Sequence, residues 1–393
     1  MIVSQTFAAI DHAPIVEVVK SPDQLQELSS FWRDCQWHPS HDYDDVLAAM
    51  EQPGDRGTPV VLAVKLAGDP INALVGWQKP ETPPWKLGYT YLTRQRFPCL
   101  TFPFGSLLDP NPAPNTSSAL IATVEEYLSN GHADFALLQY LDTSSTVYQQ
   151  AKTSPELQCR DLLSDPVPHY TLDLNRTFTE YLASLSKNTR SHIRRCRKKI
   201  EKAYGEAIEV RAYTKTEHAD EAASAVAEIE PSTWQYSALG QVLTTADQIY
   251  HWRQDAAKGR FLTHVLFING KPVAYELGMV YKGRYDAFYA GYDPEYSKNS
   301  PGMYLMAEIT EKLCSDPDVN LMDVGFSVEQ YKRRYCEYST DRDTVALFAP
   351  SVRGLCVWSI RLLAGGGNLA IKRALSRLGA FDKARKSLHQ KRG

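Results

Sequence analysis

The sequence lacks the features that define several large classes of protein. Its 7 cysteines are dispersed and none forms a Cys-x-x-Cys pair, so neither a disulfide framework nor a cysteine zinc site is expected. The histidines are isolated, and His38 with His41 has no further partner at ligand spacing, so no metal site is expected. The net charge of -3 over 393 residues gives no general argument for nucleic-acid binding. We therefore expect a reduced, cytoplasmic protein.

Targeting, membrane-spanning and nucleophile patterns are also missing. Residues 1–20 contain Asp11 and Glu17 and no basic start, which is not the pattern of a signal peptide. The longest apolar run near the end, Leu355 to Gly365, is too short to span a bilayer and contains Arg361. No Gly-x-Ser-x-Gly motif and no Ser-His-Asp or Cys-His order points to a covalent intermediate. What remains is a soluble globular protein with enough chain for two domains.

The stretch from Tyr281 to Phe326 has the clearest pattern. Two β-prone segments meet at a Lys282-Gly283 turn and lead into a loop, Gly291 to Gly302, which is rich in Pro and Gly. A helix follows, with apolar residues at helical spacing from residue 303 to 313, and then a short apolar strand. A helix that begins at the end of a strand presents free N–H groups, which suit an anion.

This order resembles the acyl-CoA-binding segment of the GNAT acyltransferases. The loop Gly291-Tyr-Asp-Pro-Glu-Tyr-Ser-Lys-Asn-Ser-Pro-Gly302 is similar to their pyrophosphate loop, with Ser-Pro-Gly in place of the usual Gly-x-Gly. In that departure it resembles the branch with CelD-type and Fem-type acyltransferases, whose chains carry two GNAT-like domains. Four further stretches are similar to that branch: Tyr181–Arg190 with the basic helix after it, Ser232–Trp234, Asp323–Gly325 and Glu329–Lys332.

An internal match supports two domains. Gly68–Trp77 aligns without gaps on Gly270–Met279, a shift of 270 − 68 = 202, although any two hairpins with a turn glycine look alike. We predict an α/β (α+β) fold of two tandem GNAT-like domains, each with a mixed, mostly antiparallel sheet flanked by helices. The predicted parts are residues 1–165, a degenerate domain, residues 166–350, the acyl-CoA domain, and residues 351–393, a basic tail.

The resemblance implies which residues contact the acyl-CoA co-substrate. They lie on the strand before the loop, in the loop and in the first turn of the helix: Tyr289, Ala290, Gly291, Ser297, Lys298, Asn299, Ser300, Gly302 and Met303. A second set is expected at the acceptor site: Trp234, Tyr292, Asp323 and Lys332. Packing remains the alternative for a lone tryptophan, and a core or surface role remains open for the lysine.

Three residues are candidates for proton transfer. Glu276 stands where the first repeat has Leu74, and a charge in a mid-sheet strand is costly unless it is paired or useful. Asp286 lies on the next strand, where many GNAT enzymes hold a carboxylate base. Tyr331 is placed like the tyrosine that reprotonates the CoA thiolate in relatives. The alternative for each carboxylate is a side chain that points to solvent from an alternating strand.

A basic helix is predicted from Thr179 to Ala203. One face is apolar, formed by Leu182, Leu185, Thr189, Ile193, Cys196 and Ile200. The remainder is basic, with Lys187, Arg190, Arg194, Arg195, Arg197, Lys198, Lys199 and Lys202. A solvated helix face, a site for CoA phosphates or a phosphorylated substrate, and a tRNA contact as in Fem-type relatives all fit this pattern.

The tail after Val352 is also basic, with one acid, Asp382. It predicts one or two amphipathic helices separated by the glycines at 365–367. These helices fit an anionic membrane surface, with contact through residues 353–393, and fit equally well helices packed on the body with a frayed end.

Three functions follow from these observations. The first is an acyl-CoA-dependent N-acyltransferase in which an amine, such as an amino sugar or an envelope or polysaccharide precursor, attacks the thioester directly in a ternary complex. The second is a Fem-type transferase that uses aminoacyl-tRNA. The third is a non-catalytic component of polysaccharide synthesis, held at the membrane by its tail. Acyl length, acceptor and oligomeric state stay open.

Overall fold

A computed structural model describes residues 13–377 except 53, 55, 88, 89, 234, 235, 237–239, 241 and 327–329. The described chain forms two compact units: residues up to Pro166 together with those from Asp341, and Val167–Thr340. The predicted boundary at 165/166 lies beside this division. The predicted second domain also included residues 341–350, but in the structure these belong to the first unit.

The elements before residue 167 are those of the first unit. Its strands are Ile15–Val19 (β1), Thr58–Leu66 (β2), Asp69–Glu81 (β3), Lys86–Leu87 (β4), Thr90–Tyr91 (β5), Phe97–Phe102 (β6) and Phe135–Asp142 (β7). Its helices are Pro22–Glu27 (α1), Ser29–Cys35 (α2), Tyr43–Glu51 (α3), Pro114–Ser129 (α4) and Thr146–Thr153 (α5).

The second unit and the C-terminal elements follow. The strands are Val167–Asp173 (β8), Ile208–Tyr213 (β9), Phe261–Ile268 (β10), Lys271–Tyr281 (β11), Arg284–Tyr292 (β12), Leu321–Phe326 (β13) and Tyr338–Phe348 (β14). The helices are Phe178–Ser184 (α6), Lys187–Tyr204 (α7), Ala219–Ile229 (α8), Ala246–Ala257 (α9), Pro301–Cys314 (α10), Gln330–Tyr335 (α11) and Val352–Arg377 (α12).

The two units have the same sheet plan. The first has strand order β1-β2-β3-β6-β7-β14, and the second has β8-β13-β12-β11-β10-β9. In each sheet the described pairs are antiparallel except one central parallel pair, β6 with β7 and β12 with β13. Each sheet has an apolar core on both faces. The predicted fold class, two tandem domains with mixed and mostly antiparallel sheets, is confirmed.

Short turns set the register of the second sheet. Asn269 and Gly270 both have positive φ, 51° and 75°, as do Lys282 and Gly283, 50° and 78°. Two consecutive left-handed residues form the hairpin turn whose twist matches that of paired strands. These turns join β10 to β11 and β11 to β12, and the second confirms the turn predicted at Lys282-Gly283.

The predicted basic helix is interrupted. It divides into α6 and α7 because Ser186 caps α7, where its side chain accepts a hydrogen bond from the Thr189 N–H. The predicted buried face is confirmed within α7, at Thr189, Ile193, Cys196 and Ile200. The sequence showed the apolar spacing but not the break, since Ser186 lies within a continuous helical pattern.

The predicted separation of the tail into two helices at 365–367 is wrong. One helix, α12, continues through the three glycines. Glycine in a helix interior costs about 1 kcal/mol, so packing must offset it. Leu163 and Leu87 lie where side chains on Gly365 and Gly367 would project, which explains two of the three glycines by close approach. Among the described residues, no helix is long and apolar enough to cross a membrane.

Candidate active site

The strands β12 and β13 separate after a short contact. They pair in parallel only through Arg284, Tyr285 and Asp286, although β12 continues six residues further. Beyond that point β12 pairs with β11 alone, and a bulge next to Phe288 shifts the register of that pairing. The two strands therefore diverge after a common start, and we call the space between them the slot.

The loop after β12 ends in an uncapped helix start. Ser300 adopts a left-handed conformation, with φ 56° and ψ 53°, and Pro301 occupies the first position of α10. No side chain caps this end. The N–H groups of Gly302 and Met303 belong to the first turn, in which a helix supplies no backbone acceptor. They are therefore donors for an anionic group, and the helix dipole adds to the attraction.

Gly302 is the second residue of α10, and the fold does not require a glycine at this position. A Cβ on Gly302 would lie 3.5 Å from Cδ1 of Tyr292, an ordinary contact distance. A small side chain at residue 302 is therefore tolerated by the fold, and its main effect would be on a group bound at the helix start.

The loop is held to α7 by two hydrogen bonds. The Asn299 side-chain amide donates to the Tyr204 hydroxyl at 2.8 Å. The Lys199 ammonium donates to the Lys298 carbonyl oxygen, which brings a positive charge to the loop. Ser297 lies in the same short turn, Pro294–Asn299. The predicted loop residues are thus gathered next to the start of α10.

The far end of β12 presents aromatic side chains. Phe288, Tyr289 and Tyr292 are all about half exposed. Ala290 is exposed as well, whereas Gly291 is buried because the Tyr275 ring lies where a side chain would project. Of the predicted contact residues of this strand, Tyr289 and Ala290 are therefore accessible and Gly291 is not.

Glu276 is buried in the sheet. It lies opposite His264 on β10, and its carboxylate accepts a hydrogen bond from the Tyr285 hydroxyl at 3.1 Å. Burial raises the pKa of Glu276 to about 7, and the hydrogen bond and the charge of Lys332 reduce that increase. Both ring nitrogens of His264 are buried without a hydrogen-bond partner among the described residues, and burial lowers its pKa to about 3.

Asp286 belongs to a buried ionic network. Arg284 donates from Nε to Asp286 Oδ1 at 2.6 Å and from Nη2 to Asp323 Oδ2. His169 Nε2 lies 2.7 Å from Asp323 Oδ2, and the Gly325 N–H donates to Asp323 Oδ1 at 2.6 Å. All four side chains of the network are buried. One oxygen remains: Asp286 Oδ2 is buried and has no partner within the described residues.

The two carboxylates of the network differ in proton affinity. Burial raises the pKa of Asp286 to about 6, although the Arg284 charge opposes the change. Burial also raises the pKa of Asp323, but the hydrogen bond with His169 and the charge of Arg284 outweigh it, and the net pKa is lowered. Asp323 is therefore fixed as an anion, whereas Asp286 can exchange a proton near neutral pH.

Glu276 and Asp286 are not brought together. Asp286 pairs with Met279, three residues from Glu276 on an alternating strand, so the carboxylates point to opposite faces of the sheet. The partner of Glu276, Tyr285, is in the core beneath α7 and α10, whereas Leu277 is in the core beneath α8 and α9. They belong to different environments and cannot share one proton-transfer site.

The remaining predicted residues lie in different environments. Tyr331 is half-buried in α11 and packs against the core of the unit. Lys332 donates to the Val324 carbonyl oxygen at 2.6 Å, so it supports the splayed strand. Trp234 lies outside the described residues. Within the described parts of the chain no cluster of side chains could hold a metal ion.

Sequence reasoning missed His169, Arg284, His264 and Tyr285. Arg284 and Asp286 alternate on one strand and so share a face, which was a usable signal. His169 is 154 residues from Asp323 in sequence. No local pattern connects such distant residues, and only the strand order brings β8 beside β13.

Comparison with known proteins agrees with this architecture. Residues 187–333 match the family model described as an acetyltransferase (GNAT) domain. The matched residues lie within the second unit. No curated protein matches the sequence of the chain. The match spans the loop, the helix start and the separated strands, but not His169.

Solved structures show the same tandem GNAT fold. The crystal structure of FemX superposes with a TM-score of 0.54 at 11% identity, covering 84% of this chain and 97% of that one. A tandem GNAT protein from the clavulanic acid biosynthesis pathway gives 0.50 at 12%, covering 86% and 99%. A conserved protein from Bacteroides thetaiotaomicron VPI-5482 gives 0.50 at 12%, covering 85% and 100%. At these identities the likeness concerns the fold.

Proposed function

We propose that this tandem GNAT protein is an acyl-CoA-dependent N-acyltransferase. The observation that carries the proposal is the coincidence, in one unit, of the GNAT match with two parallel strands that stop pairing and an uncapped helix start. The N–H groups of Gly302 and Met303 would receive the pyrophosphate, and the slot would receive the pantetheine arm. The acceptor would be an amine, such as an amino sugar or an envelope or polysaccharide precursor, reached in the cytoplasm.

Asp286 is the better candidate for the base. It is the last residue of β12 that pairs with β13, so it stands where the slot begins. Its buried Oδ2 has no partner among the described residues, and its pKa of about 6 suits a group that must accept a proton near neutral pH. Glu276 points to the opposite face, where its carboxylate is engaged by Tyr285.

The reaction then needs few protein groups. The amine nitrogen attacks the thioester carbonyl carbon, the C–N bond forms and the C–S bond breaks. Asp286 takes the proton released by the amine, and the CoA thiolate receives a proton, for which Tyr331 is the candidate donor. Arg284 and the His169–Asp323 pair would hold Asp286 in position while it changes charge.

Ligand-dependent thermal stability tests this proposal. Acetyl-CoA and a medium-chain acyl-CoA are expected to raise the melting temperature, since a ligand at 100 times its Kd stabilises the folded state by about 2.7 kcal/mol. Gly302→Val should remove the shift because its side chain would occupy the anion position. Asn115→Val, at the equivalent second position of α4 in the first unit, is the matched control and should keep the shift. An unchanged melting temperature with every acyl-CoA, on folded protein, would reject the proposal.

A second candidate is a transferase that uses aminoacyl-tRNA. It is favoured by α7, where Lys187, Arg194, Arg195, Lys198 and Lys202 are exposed and form no ion pair within the described residues. By contrast, Arg197 is neutralised by Glu308 and Glu311 of α10.

A gel shift with tRNA at low salt tests this candidate. Reversing the charge at Arg194 and Arg195 should abolish the shift if α7 binds the phosphate backbone. The same change should leave acyl-CoA binding intact if the helix is only a solvated face. Absence of a shift with the unmodified protein would remove this candidate.

A further inference from the structure

The C-terminal helix α12 has two different sides. Val357, Arg361 and Ala364 are buried or nearly so against the first unit. At 100° per residue, Leu355 and Leu363 fall on the opposite side of the helix. They are 41% and 67% exposed, so apolar side chains occupy the side that a soluble helix ordinarily keeps polar.

This helix is fixed in place rather than loosely attached. Arg361 forms an ion pair with Asp161, whose side chain is fully buried. The Trp358 indole N–H donates to the Arg160 carbonyl oxygen at 3.1 Å. The described side chains of the tail therefore agree with the alternative of a helix packed on the body of the protein. Because these contacts fix the orientation of α12, its apolar side with Leu355 and Leu363 stays exposed.

The hairpin β4–β5 extends this apolar side. The Asn368 side-chain amide of α12 donates to the Lys86 carbonyl oxygen at 2.7 Å, and Leu87 packs over Gly367. Gly367 is one helical turn beyond Leu363, so Leu87 and Leu363 are neighbours on the surface. Leu87 is exposed, as is Leu92, which follows the hairpin. Tyr91 pairs with Lys86 and therefore lies on the other face of the hairpin. We call Leu355, Leu363, Leu87 and Leu92 the α12–hairpin surface.

The chain segments that form this surface carry basic residues and no acid. Lys86, Arg94 and Arg96 are exposed in and after the hairpin, and no acid occurs between residues 82 and 108. Residues 344–381 also contain no aspartate or glutamate, while the sequence from 372 onwards adds Lys372, Arg373, Arg377, Lys383, Arg385, Lys386, Lys391 and Arg392. The whole chain has a net charge of -3, so this region is basic against the overall balance.

We propose that the α12–hairpin surface docks the first unit on an anionic lipid bilayer. Exposed leucine side chains on segments rich in basic residues fit the boundary between headgroups and acyl chains. Each lysine or arginine near such a surface adds attraction that salt weakens. A second copy of this chain would bring the same positive charge to the contact, so charge complementarity favours the bilayer over self-association. The inference does not depend on the acyltransferase chemistry of the second unit.

Flotation of the full chain with lipid vesicles tests the proposal. Vesicles of phosphatidylcholine with phosphatidylglycerol should carry the protein, vesicles of phosphatidylcholine alone should carry much less, and high salt should reduce binding. The double variant Leu355→Glu, Leu363→Glu should lower the partition coefficient by about tenfold or more, because it removes apolar contact and adds negative charge. A melting curve of the variant checks its folding, which should be unaffected since both side chains are exposed.

Ile15→Glu is the matched control. Ile15 is 66% exposed, like Leu363, but lies on the edge strand β1. The Ile15→Glu variant should bind anionic vesicles as strongly as the unmodified protein does. Failure to float with anionic vesicles, or equal binding by the Leu355→Glu, Leu363→Glu variant, would overturn the proposal. A dimer in light scattering that becomes monomeric in that variant, without vesicle binding, would instead assign the surface to self-association.

Discussion

The two units place different residues at equivalent positions of the same sheet. In the first, Leu62 on β2 pairs with Leu74 on β3. In the second, at a shift of 202 residues, His264 on β10 pairs with Glu276 on β11. All four side chains are buried. A buried polar pair costs stability that two leucines do not, so its presence in one unit alone indicates a role other than folding.

The parallel strands differ in the same way. Thr101 pairs with Leu137 in the first unit, where the second unit pairs Asp286 with Asp323. The strand pairings also show that Cys99 of the first unit occupies the position that Arg284 occupies in the second. Cys99 and Leu137 belong to an apolar core covered by α12. The ionic network is therefore confined to the second unit.

The two units also differ in the chain that follows the parallel pair. In the first, β6 pairs with β7 through its last residue, Phe102. The chain then turns back onto β3, where the Val75 N–H donates to the Ser106 carbonyl oxygen and the Leu108 N–H donates to the Ala73 carbonyl oxygen. These residues of the first unit occupy the place that the far end of β12 takes in the second.

Side chains lock this loop of the first unit. The Trp37 indole N–H donates to the Leu107 carbonyl oxygen at 2.9 Å, and His41 Nδ1 bonds to the Gly105 carbonyl oxygen. Burial lowers the pKa of His41 to about 4, which keeps it neutral. The two units thus share one sheet plan but differ at equivalent buried positions, which are apolar in the first and hold His264, Glu276 and Asp323 in the second.

The largest expected effect is at the network. Asp286→Asn should reduce kcat/KM for acyl transfer by about 10²–10⁴-fold, the usual contribution of a positioned base, with acyl-CoA binding retained. Thr101→Val, at the same register in the first unit, is the matched control and should change the rate less than about twofold. Steady-state kinetics with an amine acceptor measure both, and equal effects would remove the distinction between the units.

A buried carboxylate at the position equivalent to Glu276 should destabilise the first unit. Leu74→Glu buries a carboxylate without the Tyr285 partner that Glu276 has, so the free energy of unfolding should fall by about 3 kcal/mol. Leu74→Met conserves the apolar character and should cost less than about 1.5 kcal/mol. Denaturant titration compares the two variants. Similar stabilities would show that this position of the first unit tolerates polar groups as the second does.

The pH dependence should follow Asp286. Its pKa is raised from 3.8 to about 6, so the base is available only above that pH, and the rate should fall about tenfold per pH unit below it. Stability changes in the opposite sense. Between pH 3.8 and about pH 6, Asp286 is protonated in the folded protein but deprotonated in the unfolded chain. The free energy of unfolding therefore decreases as the pH rises through this range. Asp286→Asn should remove this contribution from both profiles, and an unchanged acid limb would assign the titration to another group.

The smallest expected effect is a gain in stability. Replacing His264 and Glu276 by leucine, with Tyr285→Phe to avoid an unpaired hydroxyl, gives the second unit the apolar pair of the first. The free energy of unfolding should rise by about 1 kcal/mol or more, as when buried polar groups are replaced by apolar ones of similar size. Thermal or denaturant unfolding measures it. A decrease would mean that the polar cluster supports the fold.

Local patterns predicted much of the fold. The Lys282-Gly283 turn, the apolar face of α7 and the helix after the loop are short-range signals, and the repeat at 202 residues compares two such local patterns. The candidate network was not predictable in this way, because His169, Arg284 and Asp323 come from three strands. The continuous α12 was missed because Leu163 and Leu87, distant in sequence, offset the cost of its glycines.

Calorimetric titration of the full chain with acetyl-CoA tests most directly whether the second unit alone binds the co-substrate. We expect one site per chain, lost in Gly302→Val and kept in Asn115→Val. Two sites per chain, or one site that Asn115→Val removes and Gly302→Val leaves intact, would contradict it.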